Sequence, residues 1–256
     1  MKILLIILLS CGTALGAANV TNLYAGLNLY AGMDLTSVPG GEATAEPSVV
    51  DYWNLEEGSG NSRASTGPAA TSMVETDGYV DQSTGINSGY CAEFPGTSSL
   101  QATDSAQWNF NSASFTISAW IQPYSLADAI PLLKNDGLAP AFQLPIVSGD
   151  WYLQLYQYNG WYGQQSVAGV DTNDFTHHVI TGNLSDGKVR WYVNGSVVWT
   201  TDELGGGQLL YAETDPLRLS NGSFVGKIDE VRVYNYCLTD GEVEALYYSD
   251  SGSSPP

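Results

Sequence analysis

The sequence predicts an all-β fold of many short strands, with one short helix at its C-terminal end. Three observations carry this reading. The 256-residue chain is rich in Gly (28), Tyr (16) and Trp (7), and only 14% of it is charged, which suits short strands joined by tight turns. Several stretches alternate apolar and polar residues with the period of two that a half-buried strand requires. Near the end, Thr239 and Glu242 stand at capping-box spacing, with Leu238 and Val243 placed as a hydrophobic staple. A single all-β unit often reaches this length.

Taken in order, the chain opens with one lysine, an apolar run from Ile3 to Leu9, and small residues up to Ala18. The run is too short to span a bilayer, and the pattern is that of a secretory signal over 1–18. Cys11 after Leu-Leu-Ser offers lipid anchoring as a minor alternative. Residues 19–48 hold a tandem "NLYAGL", "NLYAGM" and a Pro/Gly/Ala/Glu-rich end, and are expected to form a leader or linker. The domain is expected over 49–248, with a flexible tail over 249–256.

Within it, "VVDYWNLEEGSG" begins with an apolar strand and turns at Glu57 to Gly60. In "SFTISAWIQP", Phe115, Ile117, Ala119 and Ile121 face one way and Thr116, Ser118 and Trp120 the other. "WYLQLYQYNGWYG" splits likewise: Trp151, Leu153, Leu155 and Gln157 against Tyr152, Gln154, Tyr156 and Tyr158. Asn159-Gly160 and Asn194-Gly195 are two-residue hairpin turns that need positive φ. Val189, Trp191 and Val193 are expected in the core, and so are Val231 and Val233 of the last strand, which feeds a helix over about 240–248.

Charge limits the partners. Eight Lys and Arg against 27 Asp and Glu give a net charge of −19. Nucleic acid and anionic membrane need basic patches, so neither is expected, nor is membrane insertion once the signal is removed. A neutral partner, a cationic one or a divalent metal fits. Cys91 and Cys237 would remain after signal removal, and in an oxidising compartment they are expected to pair as a disulfide, two free thiols being the alternative.

The strings "VVDYWNLEEGSG", "GYCAEFPGTSSLQA", "SFTISAWIQP", "DGKVRWYVNG" and "FVGKIDEVRVY" followed by "LTDGE" are together similar to the laminin-G-like, concanavalin A-like lectin/glucanase family, in that family's order, over roughly 49–248. The resemblance implies a two-sheet antiparallel β-sandwich, a jelly roll, with the opening and closing strands in one sheet. His177 takes the place of a structural histidine.

The functions it implies are diverse. Glycoside hydrolases of this shape carry paired carboxylates as "E-x-D-x-x-E" on one strand, and no such string occurs here. Asp229 and Glu230 are neighbours, expected on opposite faces, and so are His177 and His178. The expected function is therefore a secreted, extracellular binding or adhesion module for carbohydrate. A structural surface protein that binds another protein is the second reading, and a hydrolase or polysaccharide lyase the third. Trp161, Tyr162 and Tyr158 are the candidate sugar-stacking residues. Calcium, which takes oxygen ligands from acidic and amide-rich loops, has candidate ligands in Asp136, Asp150, Asp171, Asn173 and Asp174.

Overall fold

The computed structural model describes residues 49–57, 60, 62–86, 89–105, 107–108, 110–134, 141–157, 160–202, 204, 209–210 and 215–254. The expected signal and leader, Asp136 and Tyr158 lie outside the described residues, and so do the side chains of Trp161 and Tyr162.

The strands are β1 (Val49–Trp53), β2 (Ser62–Arg63), β3 (Met73–Thr76), β4 (Asp81–Thr84), β5 (Tyr90–Pro95), β6 (Ser99–Ala102), β7 (Phe115–Pro123), β8 (Ala129–Lys134), β9 (Phe142–Val147), β10 (Asp150–Gln157), β11 (Gly160–Val167), β12 (Thr176–Asn183), β13 (Lys188–Val193), β14 (Ser196–Thr200), β15 (Leu217–Leu219) and β16 (Val225–Tyr234), followed by helix α1 (Asp240–Ser251). They form two eight-stranded antiparallel sheets. Sheet A has the order β14-β13-β12-β7-β16-β5-β4, and β1 also pairs β16. Sheet B runs β11-β10-β9-β8-β15-β6-β3-β2. β5 takes the first half of β16 and β1 the second, with Trp53 opposite Val231. The opening and closing strands therefore meet in one sheet, as the resemblance implied.

The core lies between the sheets, and the alternation read from the sequence decides which residues enter it. Phe115, Ile117, Ala119 and Ile121 of β7, Val189 and Trp191 of β13, and Trp151, Leu153 and Leu155 of β10 all belong to one buried cluster. These side chains fill an inter-sheet space of about 10 Å. The β13–β14 hairpin turns on Asn194 (φ 49°) and Gly195 (φ 78°), two consecutive positive φ angles that the Asn-Gly pair tolerates best.

Three expectations change. Asp229 and Glu230 do not straddle the sheet. Between Asp229 and Arg232 the register with β7 slips, and Glu230 sits at φ 52°, a bulge that inserts one extra residue. Ile228 and Val231 thereby both reach the core, and the two carboxylates share the outer side. The helix is also longer than expected, running to Ser251 and closed by Gly252 in the left-handed region, which leaves a shorter tail.

The third correction concerns the cysteines, which are free. Cys91 Sγ bonds to the carbonyls of Ser83 and Thr84, and Cys237 Sγ to that of Leu238. Ala92 stands opposite Ile228, so Cys91 neighbours the start of a strand beyond whose far end Cys237 lies. Roughly 25 Å of extended chain separates those points, against less than about 7 Å for a bridgeable pair.

Candidate functional site

The two outer faces of the sandwich have different fates. On sheet A the outer face is covered by α1. The helix starts at a complete capping box, with Glu242 N donating to Thr239 Oγ1 (3.3 Å) and Thr239 N to Glu242 Oε2 (2.8 Å). Leu238 and Val243 pack with Val179 and Tyr192 in a second buried cluster. Trp120, His177 and Tyr247 stack on one another in a triad, Trp120 being 4.6 Å from His177 and 5.5 Å from Tyr247 between ring centres and those two 6.1 Å apart. Trp120 Nε1 donates to Asp250 Oδ2 (3.0 Å). Arg232 forks onto both oxygens of Asp250 (2.6 and 3.0 Å) and also bonds Glu230, which accepts from Tyr52 Oη (2.7 Å).

These groups are structural. Burial holds His177 and His178 at a pKa of about 3, so both rings are neutral. His177 Nε2 shares a hydrogen with Ser118 Oγ (2.8 Å) under α1. His178 lies in the core against Trp151 and Trp191, so the pair does straddle the sheet. Burial, the largest effect, pushes Asp229 up to about 8, although its oxygens accept from Ile86 N and Glu230 N. With Asp229 1% exposed and Glu230 held by Tyr52 and Arg232, the two carboxylates fasten the bulge and do not face an open cleft.

Sheet B carries no helix on its outer side among the described residues, and that face has a consistent chemistry. Arg218 of β15 stands opposite Gln101 of β6 and Leu133 of β8. Leu133 faces Gln143 of β9, which faces Gln154 of β10, which faces Gln164 of β11. Directly paired residues share a face, so this is one row across six strands, about 24 Å long at ordinary strand spacing. Gln154 Nε2 donates to Gln164 Oε1 (3.3 Å). Tyr152 and Tyr156, both partly exposed, flank Gln154 along β10. A groove of about 310 Å³, lined among others by Pro145, Val147, Gln154, Asp128 and Asn221, leads from the row toward the loops at one end. A second concavity of about 440 Å³ lies beside the start of α1, lined by Asn183, Arg190, Tyr192, Cys237 and Asp240 among others.

The expected ligands for calcium are partly gathered. The β9–β10 and β11–β12 connections adjoin, with Val170 N donating to Gly149 O (3.1 Å) and Gly169 N to Asp150 Oδ1 (3.2 Å). Asp171 Oδ1 accepts from Asn173 N (2.8 Å), the Asx turn its position favours. Gln122 Nε2 donates to Asn173 O (2.5 Å). Asp150, Asp171, Asn173 and Asp174 thus share one end of the sandwich. Two of the carboxylates already serve backbone donors, and among the described residues no group of three His, Cys, Asp or Glu side chains gathers. A cation there would have to draw on carbonyl and amide oxygens.

The glutamine row was not apparent from the sequence, beyond the alternation that put Tyr152, Gln154 and Tyr156 together on one side of β10.

Comparison with known proteins follows the same line. A family model described as the concanavalin A-like lectin/glucanases superfamily matches residues 94–244. Adhesion G-protein coupled receptor V1 of Danio rerio is 24% identical over 147 residues, 53% of this chain but 2% of the receptor, so the chain spans a small fraction of that relative. Among solved structures, the binding domain of Paraclostridial Mosquitocidal Protein 1 aligns with a TM-score of 0.65 at 16% identity, over 78% of this chain and 52% of that one. Domain 4 of AbnA, a GH43 extracellular arabinanase from Geobacillus stearothermophilus solved with arabinotriose, aligns with a TM-score of 0.63 at 17% identity, over 78% of this chain and 98% of that one. At these identities the structural likeness shows the fold alone.

Proposed function

The chain belongs to the concanavalin A-like lectin/glucanases superfamily, and from that premise we propose that it is an extracellular, non-catalytic binding module whose outer sheet-B face takes up carbohydrate. The observation that carries this is the row of amides with two tyrosines on the sheet face that no described helix covers. Each primary amide offers both donors and an acceptor, which suits vicinal hydroxyls, and tyrosine gives a rigid apolar face with a polar edge. The arabinanase domain was solved with arabinotriose and the mosquitocidal protein's domain is described as a binding domain, both on the same fold, which supports the reading by analogy of fold.

The test is retention on a panel of immobilised neutral and acidic polysaccharides, for the wild type and for Gln143→Ala with Gln154→Ala. Retention by the wild type that the double variant loses, at unchanged melting temperature, is the expected result. No retention on any member would end the carbohydrate reading and leave binding to another protein. Calcium is a separate part of the proposal. Millimolar calcium over a micromolar site raises stability by about 4 kcal/mol. A melt in calcium and in chelator therefore reads the set Asp150, Asp171, Asn173 and Asp174, and coincident curves would remove the ion.

A further inference from the structure

We propose that this face selects acidic sugars, and that Arg218 is the residue that reads their carboxylate. The inference rests on the carbohydrate reading above and names its ligand class. The chain has four arginines among 27 acidic residues, and three of them are matched. Arg63 pairs with Glu75 (3.2 Å), Arg190 with Asp186, and Arg232 with Asp250 and Glu230. Arg218 has no carboxylate partner among the described residues. Its Nε is sealed from water and has no hydrogen-bond acceptor, in a protein where carboxylates outnumber cations more than threefold.

A buried donor without an acceptor is destabilising, and a guanidinium that lacks an internal anion has its fork free for one from outside. Position sets the direction of approach. β15 is an interior strand of sheet B, and Leu217 and Leu219 on either side of Arg218 are fully buried in the core. Arg218 therefore lies on the outer side, between Gln101 and Leu133. Leu133 is only 5% exposed although it is not part of the core cluster, so its neighbours on the outer side already cover it beside the cation.

The guanidinium is planar and presents paired N–H groups that match a carboxylate bidentately, which lysine does not. Gln143, Gln154 and Gln164, stepping away from it at about 4.8 Å per strand, would hold hydroxyls of the same chain. The surrounding acidity refines the class. With a net charge of −19 and one unmatched arginine on the face, a densely sulfated polyanion is repelled along its length. A single carboxylate in contact is governed by the local pair, because repulsion from exposed charges beyond about 8 Å is screened at physiological ionic strength. The ligand class is a uronic or sialic acid residue within a polysaccharide or glycan of low charge density.

The direct test is the arginine Nε–H region of a nitrogen-15 correlation spectrum of the mature protein, in which Arg218→Lys identifies the Arg218 resonance by its loss. Sodium galacturonate should shift that resonance saturably, while galactose, or sodium chloride at equal ionic strength, should leave it in place. In parallel, the wild type should be retained about tenfold more strongly on highly methyl-esterified polygalacturonate, whose free carboxylates are sparse, than on the same polymer with those carboxyls reduced. Arg218→Gln should erase that ratio, and Arg218→Lys should keep part of it. A resonance that stays still, or that moves equally with chloride, overturns the inference. Equal retention of the acidic and reduced polymers, or retention on heparin alone, does so too. Equal retention leaves the carbohydrate reading standing, whereas retention on no glycan at all removes that reading and this inference with it.

Discussion

The outer faces of the two sheets present the same physical problem, a plane of alternate side chains pointing away from the core, and the chain solves it twice in different ways. On sheet A it adds α1 and fills the space beneath with Trp120, His177, Tyr247 and the Arg232–Asp250 fork. Most polar atoms there have an internal partner, His177 Nδ1 and Thr181 Oγ1 being exceptions, and the face contributes stability. On sheet B it places glutamines, tyrosines and one unmatched arginine, and their hydrogen-bonding capacity is directed outward. The difference teaches where to look for function in a fold shared by unrelated activities: on the face whose polar groups the protein has not itself satisfied.

Substitutions should separate the two faces by size and kind of effect. The largest is expected at Trp120. Trp120→Ala removes a side chain 2% exposed, with both stacking partners and the Asp250 bond, and should cost about 3–5 kcal/mol in chemical denaturation. A loss under 1 kcal/mol would mean that α1 does not hold this face.

Next comes pH. His177 and His178, pushed down to about 3, contribute stability that is present above their unfolded value near 6.5 and lost as pH falls toward 3. Asp229, pushed up to about 8, does the opposite. The native state holds its proton while the unfolded state has lost it, so stability falls as pH rises from about 4 to 8. Between pH 4 and 6.5 two histidine protons oppose one carboxyl proton, a net loss of about 1.4 kcal/mol per unit of acidification. Above 6.5 Asp229 alone reverses the slope. Melting temperature should therefore peak near pH 6.5, and a plateau from 5 to 8 would show that these groups do not titrate as their burial requires.

Smaller still, Thr239→Ala should cost about 1 kcal/mol by removing one half of the capping box, read from the same denaturation curves. Smallest, Gln154→Ala on the open face should change stability by no more than about 0.5 kcal/mol.

Much of this was legible in the sequence. The period of two at 115–121 and 151–157 divided each strand into its two faces, because a pleated strand alternates them, although at β7 both faces are buried, the second one under α1. Thr239 with Glu242 marked the helix start because that motif is local. The bulge was not legible. Glu230 adopts positive φ without glycine, held there by the Asp229 carboxylate on its N–H, and nothing in the neighbouring residues signals it. The glutamine row was hidden for a different reason. Gln154 stood at a polar position of an alternating strand, but Arg218 and Gln143 drew no notice singly. Their alignment depends on β15 lying between β6 and β8, a long-range order that no spacing encodes. The expected disulfide failed likewise, since counting cysteines says nothing about the distance along β16 that separates them.

The most direct test of the central claim is to map binding onto the two faces. With a retained polysaccharide as probe, the affinities of Tyr152→Ala with Tyr156→Ala and of Tyr247→Ala would be measured beside their melting temperatures. The tyrosine pair on β10 should lose at least about tenfold in affinity, about 1.4 kcal/mol, and keep most of its stability. Tyr247→Ala should lose stability and keep its affinity. The reverse pattern, or equal affinity in both, would contradict the assignment of binding to the outer face of sheet B.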